Sequence, residues 1–220
     1  MILPAQATDD PVEVTDVDVV LLGVKAWQVQ EAARAMRPAI GPGTFVVPLQ
    51  NGVDAASELS AVVGSEHVLG SLCATLSWVV APGRIRNIGG SNFIKFGELD
   101  NRRSDHAAQL QEAFRKTGVT VEIPPEIHKA LWENFLTITS FGGVGAVSRA
   151  PIGAIRARPE TRRLVERCMN EVFDVAAPRQ VALPASIVAD TMAVLDTVAA
   201  DGTASMLRDI RDGKPSELEY

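Results

Sequence analysis

Cysteine, histidine and aromatic residues are scarce in this chain of 220 residues, and each scarcity excludes something. Cys73 and Cys168 are its two cysteines, each inside an apolar stretch. That usage rules out a disulfide scaffold and predicts buried free thiols in a reducing compartment. His67, His106 and His128 lie far apart without Cys or carboxylate partners at ligand spacing, so no metal centre is expected. Neither Cys73 nor Ser205 has a nearby His or a Gly-x-Ser-x-Gly elbow, which argues against a covalent nucleophile. Lys and Arg total 21 against 27 Asp and Glu, a net charge of −6, and nucleic-acid partners are excluded because neutralising phosphates needs a basic surplus. No run approaches the roughly 20 apolar residues of a membrane helix, and the opening MILPAQATDDP has neither a basic start nor a long apolar core. A cytoplasmic protein without membrane contact is the expectation. The glycine-rich stretch 143–148, GVGAVS, half fits a dinucleotide fingerprint but follows a helical pattern and ends in Ser, so it reads as a loop ending a helix.

What is present can fill real cores, since 46% of the chain is hydrophobic. The run Val17 to Val24 is nearly all aliphatic, too continuous for a half-exposed strand, and reads as a buried parallel strand of an α/β sheet. AWQVQEAARAM then places Val29, Ala32, Ala33 and Met36 on one helical face, with Pro38 as the stop. A second apolar strand at Phe45 to Val47 is followed by Asn51-Gly52. The helical spacing of VDAASELSAVV beyond it makes this the end of a parallel strand instead of a hairpin. Three β-rich runs follow, HVLGSLCATLSWVV, GRIRNI and NFIKFGEL, separated by Ala81-Pro82-Gly83 and Gly89-Gly90-Ser91; short turns of this kind predict antiparallel strands finishing the sheet. Ser104 is placed to cap a helix to about Lys116 with Leu110, Ala113 and Phe114 inward and Gly118 at its end, and VTVEI supplies a last strand.

Pro124-Pro125 marks the expected boundary, and everything after it is helical: about 126–140, 159–177, 184–200 and 205–211, with Pro159 and Pro184 in first-turn positions. The fold class is therefore α/β, a partial Rossmann-type sheet over residues 1–124 followed by an all-helical domain over 125–220. Lys25 and Asn51 fall at strand ends, where open α/β sheets bind ligands.

VKAWQ, LQNGV, LWENF, SRAPIGAIR and SMLRDIRDGKPSELEY stand in the order of the ketopantoate reductases, or 2-dehydropantoate 2-reductases. The chain resembles that family over essentially its whole length. The resemblance implies an NADPH-dependent reductase of a 2-keto acid in pantothenate biosynthesis, with a Rossmann domain, a helical domain and a homo-oligomeric state. Carried over by position, Lys25 is a cation near nicotinamide and substrate. Asn51 holds the nicotinamide side and the substrate carboxylate, and Gly52 allows close backbone approach. Ser205 bonds substrate, and Glu217 orients the cofactor ribose or the catalytic Lys. In the family the strand ending Val-Lys-Ala-Trp is the fourth of its domain, and a Gly-x-Gly-x-x-Gly turn on the first cradles the pyrophosphate. That turn is absent from these 220 residues, so impaired NADP binding is expected. SELEY, with a capping-box spacing of Ser216 and Glu219, reads as a helix start. The chain thus has the look of a fragment or a late-start product.

The family's catalytic Lys belongs in the helix after LWE, and here that position is Asn134. Ile138, one turn on, replaces the Asn of many relatives, and Lys129 is five residues away and directed elsewhere. An amide can hydrogen-bond a developing alkoxide but has no acidic proton to give it. Two other readings therefore stand beside a ketopantoate reductase: a non-catalytic oligomeric or binding protein derived from the fold, and a reductase of another 2-keto acid.

Overall fold

The computed structural model describes residues 5–87 and 92–218. Two compact units result, one formed by residues up to Gln50 with Asp54–Pro125, the other by Asn51–Val53 with the chain from Glu126 onward.

In the first unit, β1 (Val19–Leu22) and β2 (Phe45–Pro48) pair in parallel, Val19 opposite Phe45 and Leu22 opposite Pro48, joined through helix α1 (Val29–Met36). The α1 face expected from sequence is the one used. Val29 and Ala33 are buried, and Ala32 and Met36 pack beside Leu22, Val46 and Leu59 of helix α2 (Ala55–Val63). The strand β1 departs from expectation. Among the described residues it pairs with β2 alone, and Leu21 is 48% exposed, because a strand with one neighbour and one covered face cannot bury its whole aliphatic run.

A parallel bridge between Val46 and Val68 links β2 to β3 (Leu69–Ala74), reinforced by the imidazole Nδ1 of His67 2.7 Å from the Thr44 carbonyl and by the Ser71 hydroxyl donating to the Pro48 carbonyl. β3 pairs antiparallel with β6 (Phe93–Glu98), which pairs in parallel with β7 (Thr120–Glu122). The long run expected as one strand instead breaks at Thr75-Leu76. Its second half, β4 (Ser77–Ala81), turns back on β5 (Arg84–Asn87) as a separate two-stranded hairpin that, among the described residues, does not join the sheet. A polar knot explains the break: the Thr75 hydroxyl bonds the Asn92 side chain at 3.0 Å, and the Asn87 amide reaches Thr75, Ser77 and Asn92 within 3.2 Å. The expected Gly89-Gly90-Ser91 turn lies outside the described residues.

Helix α3 (Asp105–Arg115) begins where Ser104 accepts a hydrogen bond from the Ala107 amide at 3.1 Å. Its inward stripe is Ala107, Leu110 and Phe114, while Ala113 is exposed, since it lies to one side of that 3.6-period stripe. Phe45, Val47, Leu69, Ile94 and Phe96 complete this core, each fully buried side chain contributing about 1.5–3 kcal/mol.

The second unit is helical: α4 (Ile127–Ser148), α5 (Ile152–Arg156), α6 (Pro159–Ala176), α7 (Ile187–Thr197) and α8 (Ser205–Arg211). Pro159 occupies a first turn as expected, whereas Pro184 precedes its helix and its carbonyl accepts from Ile187 N at 3.0 Å. The glycine-rich stretch 143–148 is not a loop. It is the last two turns of α4, with Val144, Gly145 and Ala146 buried, and the helix stops at Arg149 in a left-handed conformation, φ 52°. The segment packs in ordinary contact with its neighbours: a Cβ on Gly142 would stand 3.6 Å from Ala204 Cβ, and one on Gly145 the same distance from the Ala150 carbonyl. Leu136, Ile152, Ile155, Val165, Met169 and Leu195 fill the core.

Candidate functional site

Three residues past the end of β1 comes Lys25, half-buried, with its ammonium 6.0 Å from the Trp27 ring centroid. Three residues past the end of β2 comes Asn51, exposed, followed by Gly52 at φ 109° with no heavy atom within 4 Å of where a Cβ would stand. Open backbone in a conformation that side chains avoid is what close approach of a ligand to a chain turn requires. The two strand ends are tied together by Gln50. Its amide Nε2 donates to the Leu22 carbonyl at 2.8 Å and to the Val24 carbonyl at 2.9 Å, while Leu49 N also donates to Leu22 at 2.9 Å. Both amide protons being spent on carbonyls fixes the flip of the group, and its buried Oε1 has no partner among the described residues. On the other side of the same turn, the Lys25 amide donates to Gln28 Oε1 at 3.2 Å.

Asn134 and Ile138 lie one turn apart on α4, both half-buried. Ser205 is the first residue of α8, behind Ala204, whose methyl faces Gly142. Gly142 is eight residues beyond Asn134, about 12 Å along the helix axis, so Ala204 meets α4 about two turns away from the Asn134 level. Glu217 is half-buried in the segment following α8; of the expected capping pair, Ser216 is half-buried and Glu219 lies outside the described residues. The segment Asn51–Val53 groups with the helical unit, Val53 packing on Trp132, Ala176 and Val181. Within each unit the structure thus places Lys25 at the lip of the parallel strands and Asn134 and Ser205 on neighbouring helices.

The remaining candidates are quiet. Cys73 and Cys168 are free and partly buried, with burial raising both thiol pKa values, which leaves little thiolate at neutral pH. No group of His, Cys, Asp or Glu among the described residues could hold a metal ion. No helix among them is long and apolar enough to cross a membrane. Gln28 and Gln50 were not singled out by sequence, although both sit inside the motifs VKAWQ and LQNGV.

Parallel strands joined through a helix, a mixed sheet and an all-helical continuation define a partial Rossmann-type α/β protein with a helical C-terminal region. Residues 1–101 match the ketopantoate reductase PanE/ApbA family and residues 126–220 match its C-terminal region, so the chain belongs to the ketopantoate reductase family. It is 26% identical to an uncharacterized oxidoreductase, YkpB, of Bacillus subtilis over 92% of this chain and 67% of that protein. A 2-dehydropantoate 2-reductase of Halobacterium salinarum is 28% identical over 98% of this chain and 70% of its own length. The crystal structure of 2-dehydropantoate 2-reductase from Geobacter metallireducens superposes with a TM-score of 0.86 at 28% identity, covering 94% of this chain and 69% of that one.

Proposed function

We propose that the chain carries the site of a nicotinamide-dependent reductase of 2-dehydropantoate, forming pantoate, with NADPH as the hydride donor. The observation that supports it most directly is the tied pair of strand ends, which holds a cation, Lys25, just past the carboxyl end of β1 beside its parallel neighbour β2. Lys25 would offer charge to the keto acid and nicotinamide. Asn51 would hold the carboxamide side and the substrate carboxylate, and Gly52 would let the cofactor lie against backbone. Ser205 would donate to substrate, Glu217 would orient the ribose, and Asn134 would donate a hydrogen bond to the ketone oxygen.

The fit to the cofactor is partial. Residues at the strand ends suit the nicotinamide end, but the glycine-rich stretch 143–148 is helix interior, its amides committed to the α4 backbone ladder and not free for a pyrophosphate. Weak NADPH binding is therefore expected, and fluorescence titration giving low-micromolar affinity would refute that. When bound, the nicotinamide supplies hydride to the carbonyl carbon; the oxygen then needs a proton. With Asn134 in place of an acid, reduction should be slow. The test is ketopantoate-dependent oxidation of NADPH by the purified chain, followed by nicotinamide absorbance: a slow rate above the enzyme-free blank, lost in Lys25→Ala, is expected. A complete absence of turnover would favour the second reading, a non-catalytic binding or oligomeric protein, which Asn134 itself supports. Other 2-keto acids belong in the same assay.

We also propose a cytoplasmic homo-oligomer. The half-exposed edge of β1, with Leu21 open to solvent, is the kind of surface that proteins cover or pair. Sedimentation showing a monomer at every concentration would count against self-association.

A further inference from the structure

The Val24–Lys25 peptide group is held from both sides by side-chain amides. Its carbonyl oxygen accepts from Gln50 Nε2 at 2.9 Å, and its N–H donates to Gln28 Oε1 at 3.2 Å. Neither partner belongs to the sheet ladder: β1 has already ended at Leu22, and Lys25 precedes the 3-10 turn Ala26–Gln28. A peptide plane just beyond a strand is ordinarily free to rotate about its flanking φ and ψ, carrying the next side chain with it. Here both of its polar groups are occupied by residues of different segments, one 26 positions away along the chain. Gln50 is itself buried, and its two amide protons reach the Leu22 and Val24 carbonyls, which an apolar side chain packed in the same place could not do.

We propose that Gln28 and Gln50 are positioning residues that act as a clamp on the 24–25 peptide and thereby fix the direction of Lys25. The inference rests on the reading of Lys25 as a site residue, but the clamp can be tested without turnover. The protein is labelled briefly with acetic anhydride, and acetylation of Lys25 is measured by peptide mass spectrometry against Lys116 and Lys214 as internal references. Gln28→Met and Gln50→Met keep an unbranched side chain of similar length and remove the amide. Each single variant should raise the relative labelling of Lys25 about threefold, and the double variant should rise no further than the larger single, a coupling of about threefold, within the range for residues sharing one hydrogen-bond network.

Unchanged Lys25 labelling in both single variants would overturn the clamp, as would independent multiplication of their effects in the double. Should Gln50→Met fail to fold, the exposed Gln28→Met decides alone: a Lys25 rate equal to the parent's refutes the proposal. A last arm repeats the labelling of the parent chain with ketopantoate and NADPH added. Protection of Lys25 is expected. Coupled glutamine variants without ligand protection would overturn the assignment of Lys25 to the substrate site while upholding the clamp, so the two failures are distinguishable.

Discussion

Gly143→Ala and Gly153→Ala should move stability in opposite directions, although both replace a helical glycine by alanine. At Gly143, inside α4, an added Cβ meets no heavy atom within 4 Å. The substitution there removes only the entropic penalty of glycine in a helix, a gain of about 0.5–1 kcal/mol. At Gly153, inside α5, the same Cβ would lie 2.7 Å from both the Ala200 carbonyl oxygen and Cβ, and 2.9 Å from its Cα. Backbone cannot swing aside as a flexible side chain can. The two hydrogen bonds that seat α5, Ile152 N to the Gly202 carbonyl and Gly153 N to the Ala200 carbonyl, both at 2.9 Å, would have to stretch with it. Overpacking of this kind costs about 1–3 kcal/mol. The two variants should therefore differ by about 1.5–4 kcal/mol, which at about 2–4 °C per kcal/mol for a chain of this size separates their Tm values by about 3–16 °C. Thermal unfolding followed by far-UV circular dichroism measures it. A Gly143→Ala variant less stable than the parent would show that residues 143–148 are not helical interior, and a neutral Gly153→Ala would refute the close approach of α5 to Ala200.

Three further outcomes are expected. Asn134→Lys should raise kcat for ketopantoate by up to about 10²–10⁴-fold, the worth of a positioned general acid, and should move KM less because the proton passes in the transition state; an unchanged kcat in a parent that is already fast would place the acid elsewhere. Ser104→Ala removes the acceptor of the Ala107 amide and should destabilise the first unit by about 1 kcal/mol in denaturant unfolding, and a null effect would mean the cap is replaced by water at no cost. Asp196 is bonded through both carboxylate oxygens by Arg162, which lowers its pKa. A depressed carboxylate pKa stabilises the fold above the unfolded-state value and loses that contribution as pH falls through the folded value. Asp196→Asn should flatten the acid limb of the stability profile, by a modest amount because the pair is solvent-exposed, and an unaltered limb would show that it contributes nothing.

Sequence periodicity located the elements wherever burial follows a simple stripe, and lost them wherever it does not. The α1 face is a plain case, one apolar side against the sheet. Its opposite is α4, which buries residues around much of its circumference, from Ile127 and Trp132 to Gly145, so no single face announces where it stops. Glycines that normally punctuate helices lie here inside one, Gly142 and Gly145 in ordinary contact with Ala204 and Ala150, neighbours that are not given by the local glycine pattern. The strand break at Thr75 has the same character. HVLGSLCATLSWVV is uniformly β-prone, and what divides it is the side chains of Asn87 and Asn92, 12 and 17 residues on.

The site divides along a similar line. Lys25, Asn51, Asn134, Ser205 and Glu217 could be named as candidates because each falls at a position that a motif marks. The residues that hold them could not, since a glutamine within VKAWQ or LQNGV reads as one more polar surface residue until its partners are known. Gln50 spends both amide protons on carbonyls at the end of a different strand, a tie that only the folded chain reveals. If the glutamine clamp is what directs Lys25, then a lysine at this position without its two glutamines would keep the motif's charge and lose its aim, and the sequence match alone would not reveal the difference.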